Sequence, residues 1–261
     1  MGRRIAIVMM VFMIPAAWAA PLTAHQIMIR NFFASKVKSS KSRLTLILSA
    51  RDGTIQKRRL VVVSRLQRNR VYSDVVTRFT YPQDILGTEF LELQHPRGRD
   101  DMWIYLPALH GVRRIVANER RNSFFGTDFS YDDILPSRVS DFTYKRMGSV
   151  TLDMHSCYVI QALARNAHIA RDTGYTRKIS WIRKDDFIAA KTVFYGPAGH
   201  KLKILLTKDV KPAGHGHHWI PFWEKMTHVR SGHSTVLKVD RFRADVDAPR
   251  RFFSARTLIR R

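Results

Sequence analysis

Six of the eleven histidines (His200, His215, His217, His218, His228 and His233) fall within 34 residues, and Gly214 to Trp219 reads GHGHHW. Alternate residues of an extended segment share a side, so His215 and His217, with His218 beside them, could face one metal ion. Neutral imidazole is a good ligand for zinc or copper. No carboxylate or thiolate sits at ligand spacing, however, and Pro212, Gly214 and Gly216 mark a loop. The spacing favours a solvated loop over a metal site, and no cofactor is implied.

The remaining chemistry-bearing residues read in the same direction. Asp100-Asp101, Asp132-Asp133 and Asp185-Asp186 are neighbouring carboxylates, but neighbours on a strand point to opposite faces, so turn and cap roles fit better than acid-base work. Cys157, the single cysteine, opens an apolar strand and reads as a buried, inert thiol. There is no GxSxG elbow, phosphate-binding loop, GxGxxG or HExxH, so no catalytic residue is assigned and a non-enzymatic role is favoured.

These groups sit in a strongly basic chain of 261 residues, with 45 Lys and Arg against 21 Asp and Glu. With 45% apolar and 11% aromatic residues it can nonetheless build a core. Arg3 and Arg4 precede an apolar run from Ile5 to Ala20, and Ala17-Trp18-Ala19 has the form of a cleavage site. Residues 1–19 therefore read as a signal peptide, leaving 20–261 as one exported domain. Export and the lack of an aromatic-interleaved basic motif argue against nucleic acid; anionic membrane or envelope polymer is the expected partner of the charge. The stripe Trp219, Phe222, Trp223 and Met226 has roughly helical spacing and reads as core or as a lid.

The elements that position these residues are mostly strands. Thr23 and Gln26 have capping-box spacing ahead of a short amphipathic helix. Leu44, Leu46 and Leu48 alternate with polar residues, Asp52-Gly53 marks a turn, and Leu60 to Ser64 returns. Further runs span Tyr72 to Phe79, Glu89 to Leu93, Met102 to Leu106, Val112 to Val116, Cys157 to Leu163, Lys178 to Ile182, Phe187 to Tyr195, Lys201 to Leu206 and Thr235 to Val239. Tyr131 to Leu135 and Pro249 to Leu258 are the other helical candidates. Several strands are apolar on both sides, so both faces need covering. An antiparallel sheet of about ten strands must curl, enclosing a core or a ligand cavity. Leu91, Ile104, Val193, Ile204 and Leu237, on apolar strand faces, are the expected cavity wall.

FTYPQDILGTEFLEL (Phe79 to Leu93), DDMWIYLPALHGVRRI (Asp100 to Ile115) and RNSFFGTDFSYDDI (Arg121 to Ile134) resemble the LolA-like outer-membrane lipoprotein-sorting family, divergent from LolA itself. The matching positions include Trp103, Tyr105, Pro107, Arg113, Arg121, Phe124, Gly126, Asp128, Tyr131 and Asp133. Thr127 and His110 depart from the usual pattern, and the GHGHH loop is unusual. The resemblance implies a mainly β (α+β) fold: a strongly curved antiparallel half-barrel of LolA/LolB type with a few helices over its concave face. It also implies a monomeric periplasmic carrier of acylated lipoprotein or lipid, served by an inner-membrane transporter. An accessory hydrophobe-binding protein of a lipid exporter and a basic envelope-polymer binder remain the alternative readings.

Overall fold

The computed structural model describes residues 20–214 and 218–258. The expected leader and the loop residues His215 and His217 lie outside the described residues. The first helix, α1 (Ala24–Ala34), starts where the sequence places it. The Gln26 N–H donates to the Thr23 hydroxyl at 3.2 Å, and the Thr23 N–H donates to the Gln26 side chain at 2.9 Å.

Alternating apolar residues then build two antiparallel meanders. The first is β1 (Ser39–Ser49), β2 (Ile55–Leu66), β3 (Ser73–Tyr81), β4 (Glu89–Leu93), β5 (Asp101–Leu106) and β6 (Gly111–Arg114). The second is β7 (Phe142–Leu152), β8 (His155–Ala164), β9 (Arg177–Arg183), β10 (Ala189–Tyr195), β11 (Lys201–Ala213), β12 (His218–His228) and β13 (Ser234–Ala244). Pairing of β1 with β13, with Leu46 opposite Leu237, fuses them into one curved, unclosed 13-stranded sheet whose edges are β6 and β7. Among the described residues two short helices follow: α2 (Ala167–Thr173) between β8 and β9, and α3 (Ala255–Leu258).

Two strands differ from the sequence reading. β7 is exposed along most of its length and carries little apolar alternation. In β12 the aromatic stripe is extended rather than helical: Trp223 pairs with Lys238 and Met226 with Thr235, so these two side chains leave opposite faces. Tyr131–Asp133 is a single 3-10 turn, and the C-terminal region forms the turn Arg250–Phe252 followed by α3.

Both faces of the sheet are covered. The crossover of residues 115–141, which joins edge strand β6 to edge strand β7, runs over one face and meets strands from both meanders. That face is therefore the concave one. Phe79, Phe90, Met102 and Ile104 are buried there against Phe124 and Tyr131 of the crossover. The Phe124 ring centroid lies 5.4 Å from that of Phe90 and 5.5 Å from that of Tyr131. Each such buried side chain contributes roughly 1.5–3 kcal/mol. Over the second meander, α1 covers the same face, with Ile27 fully buried against Ile160 and Ile182. On the convex side, Phe252, Phe253 and Leu258 cover Val76, Leu91, Trp103 and Tyr105.

Candidate functional site

The crossover is tied to the sheet at separate points along its length. Asp128 takes a hydrogen bond from the Thr235 hydroxyl at 2.7 Å, and its carboxylate lies 2.6 Å from His233 Nδ1. Asp133 caps its own turn by accepting from the Ser130 N–H at 2.8 Å. It also accepts from the Tyr175 hydroxyl at 2.9 Å and pairs with Lys203 of β11 at 3.3 Å. Burial, reinforced by the Asp133 charge, raises the Tyr175 hydroxyl well above its ordinary range. Lys178 of β9, its pKa lowered by burial, donates to the Ser137 hydroxyl at 2.7 Å.

Between these anchors the crossover stands off the sheet and leaves a cavity of about 250 Å³. Its floor is Leu44, Leu46, Leu60, Val62, Val75 and Leu237, and its roof is Phe124, Phe129, Ile134 and Leu135. Leu44, Val62 and Leu237 pack against the core yet keep part of their surface accessible, and all three line this space. Glu224 also lines this wall and is half-buried. Thr207 donates to its carboxyl at 3.5 Å. Burial pushes that carboxyl up to about 7, since no cation stands beside it to offset desolvation.

A second, polar space of about 280 Å³ adjoins the first, with Leu135 common to both walls. It lies among the β4–β5 loop, the crossover and α2. Arg120 bridges Asp132 at 3.3 Å and Asp100 at 3.7 Å, Arg138 pairs with Asp100, and Arg99 reaches Asp172 of α2 at 2.5 Å. These ion pairs link elements near the two edges of the unclosed sheet. The adjacent carboxylates of the sequence thus act in caps and ion pairs; Asp186 likewise accepts from the Ile188 N–H at 2.8 Å.

The five residues expected to line a cavity divide by face. Leu237 lines the apolar cavity, and Ile104 shares its face within the filled part of the core. Leu91, Val193 and Ile204 point the other way. Leu91 pairs with Trp103 beneath the C-terminal segment, and Val193 pairs with Ile204 on the convex side. A period of two places a residue on one of two faces, and only the register says which is concave.

The motif residues are also separated. Trp103 and Tyr105 hold the C-terminal segment, while Arg113 at edge strand β6 pairs with Glu119 at 2.7 Å. Pro107 packs beside Gly87. Arg121 is exposed beside Gly174, whereas Phe124 and Tyr131 are core. Gly126, with φ of +76°, sits so close to the Arg58 guanidinium that a Cβ there would lie 3.3 Å from it. Phe124, Gly126, Asp128, Tyr131 and Asp133 thus all shape or anchor the crossover. The sequence reading missed Glu224, Thr207 and Leu135; an acid flanked by Trp223 and Lys225 in a strand was the available signal for the first.

Cys157 is fully buried, and burial raises its thiol. His218 opens β12 opposite Ala213, and among the described residues no cluster of three or more His, Cys, Asp or Glu could hold a metal ion. On the convex face, strand register lines up cations: Arg43 opposite Arg241, Lys41 opposite Arg243, and Lys238 opposite Trp223, which faces Lys208. Asp240 is interspersed among them, accepting from the Thr45 hydroxyl at 2.7 Å.

This architecture, a curved and unclosed half-barrel, is shared with solved structures. The chain is similar to an outer membrane lipoprotein-sorting protein domain from Vibrio parahaemolyticus, at 24% identity and a TM-score of 0.83 over 90% of this chain and 98% of that one. A DUF1329 family protein from Desulfovibrio piger gives 23% identity and a TM-score of 0.83 over 90% and 97%. A LolA superfamily protein from Nitrosomonas europaea gives 18% identity and 0.70 over 90% and 99%. No curated protein matches the sequence. Residues 72–260 match the model of a family described as uncharacterized protein, the DUF1329 family, and the chain belongs to it.

Proposed function

We propose that this protein is a non-enzymatic periplasmic carrier that holds acyl chains of lipoproteins or lipids between its sheet and its crossover and passes them toward the outer membrane. The observation that carries this reading is apolar surface kept accessible yet enclosed, at the wall formed by Leu44, Val62 and Leu237. An exposed acyl chain costs about 0.8 kcal/mol per methylene in water, so a carrier must supply such a wall. The cavity of about 250 Å³ is smaller than the roughly 300–1,000 Å³ usual for ligand pockets, so a long chain enters as Ile134 and Leu135 of the crossover give way. Affinity is then set by the free-energy difference between the roofed and opened forms. The lipoprotein-sorting name of the similar Vibrio domain supports the same role.

The aligned cations of the convex face support docking on an anionic leaflet, where each contributes about 1 kcal/mol. A leader ending at Ala19 supports export, and an inner-membrane transporter is the proposed donor of cargo. The test is native mass spectrometry with lipid extraction on the chain from Ala20, purified from periplasm without detergent. Lipid or acylated protein at near one-to-one stoichiometry is the expected result. A clean unliganded mass that stays unchanged on adding lipids or a lipopeptide would overturn the reading.

A further inference from the structure

The polar space beside the apolar cavity is not needed to bury an acyl chain, and it is lined by more acidic side chains than arginines. Asp100, Asp132, Asp141, Asp172 and Glu92 line it, against the guanidinium groups of Arg99, Arg120 and Arg138. Each arginine is already engaged: Arg120 by Asp100 and Asp132, Arg138 by Asp100 and the Gly98 carbonyl, and Arg99 by Asp172. Glu92 is 2% accessible, and its Oε2 has no hydrogen-bond partner. An unmatched buried acceptor costs about 1–3 kcal/mol, more when charged, so it is a group that a ligand donor would relieve. In a chain of net charge +24 this is a local excess of acids. His168 at its rim already contacts Arg99 and lies 3.8 Å from Asp172.

The two spaces are neighbours in the fold. Leu135 walls both, and Glu92 lies directly across the sheet from Val75, which floors the apolar cavity. Separately they measure about 280 and 250 Å³; joined, they reach the volume usual for a bound small molecule.

We propose that this pocket receives the polar head of the amphiphile whose chain occupies the apolar cavity, and that it selects hydrogen-bond-donating heads without negative charge, hydroxyl or amine, over anionic ones. The inference rests on the carrier reading. The head donates to Glu92 Oε2, and Leu135 marks the boundary between head and chain. An anionic head would meet five acidic side chains and guanidinium groups already held in ion pairs, although Arg120 keeps one unpartnered Nε–H. Burial and the neighbouring Asp100 and Asp132 hold Glu92 far above the usual carboxylate range, which weakens its hold on a cation but not on a hydroxyl.

Calorimetric titration of the delipidated protein at neutral pH with monopalmitoylglycerol, hexadecylamine and palmitate, each below its micelle concentration, tests this. The glyceride and the amine are expected to bind at least about tenfold more tightly than palmitate, a difference of about 1.4 kcal/mol. Glu92→Leu, which removes an unpartnered carboxyl and leaves the apolar cavity intact, is expected to reduce that preference severalfold without weakening palmitate binding. Equal affinity for all three ligands, or a preference for palmitate, overturns the head-group assignment while leaving the carrier reading in place. Failure of all three to bind overturns both.

Discussion

Asp128 and Thr235 hold each other twice: the threonine hydroxyl donates to the carboxylate at 2.7 Å and accepts from the aspartate backbone N–H at 3.0 Å. The two residues are 107 positions apart, one in the crossover and one in β13, and Thr235 is fully buried. Thr235→Val keeps the shape but strands the Asp128 N–H and leaves its carboxylate with His233 alone, so a loss of about 1–3 kcal/mol is expected. Urea unfolding measures it; an unchanged midpoint would show that the crossover does not depend on this pair.

Glu224 makes stability depend on pH. Its folded pKa, about 7, lies above the ordinary 4.5, so the folded chain binds this proton more tightly than the unfolded one. The stabilisation is complete below about pH 4.5 and is lost as pH rises through 7, by roughly 3 kcal/mol in all. Glu224→Gln should remove this slope, matching the parent at low pH and exceeding it at high pH. Denaturant midpoints across that range decide it, and parallel curves would refute the assignment.

Leu91 and Leu237 separate folding from uptake. Leu91→Ala creates a void under the C-terminal segment and should cost about 2–5 kcal/mol while leaving acyl-chain binding unchanged. Leu237→Trp fills the cavity and should abolish binding at a stability cost of about 1–3 kcal/mol. Thermal unfolding together with a fluorescent fatty-acid titration would show the opposite pattern if the ligand bound on the convex side.

Cations of the convex rows should govern membrane retention. Neutralising Lys41, Arg43, Lys238 and Arg241 together removes about 4 kcal/mol of attraction at low ionic strength, up to about a thousandfold in affinity. Flotation with phosphatidylglycerol vesicles at low and high salt checks this; equal retention of parent and variant would place the contact elsewhere.

The sheet and its curl were legible because alternation survives in strands such as β1 and β9, and the capping box announced α1. β7 was hidden because it is an edge strand with a solvated surface and so lacks the apolar alternation that reveals a strand. β12 was hidden by four large apolar residues whose spacing mimics a helix; pairing with β11 and β13 decides their conformation. The candidate site was half-legible for a related reason. Leu91 and Leu237 are equally apolar, and the difference between them is that the C-terminal segment covers one and the crossover roofs the other. The motif from Arg121 to Ile134 was visible as a unit, but its role as the roof depends on contacts such as Asp133 with Lys203, 70 residues away.

The pairing of β1 with β13 sets the order in which this protein can be made. The two strands form the interior seam of the sheet, yet Thr45 and its partner Asp240 are separated by 195 residues. During synthesis or threading through a pore, the first meander must wait with an unpaired edge until nearly the whole chain has emerged. Such long-range closure is slow, and an open edge invites intermolecular pairing. Assembly therefore finishes at the centre of the sheet, and a chain truncated before Ser234 would be left with two uncapped edges prone to aggregation.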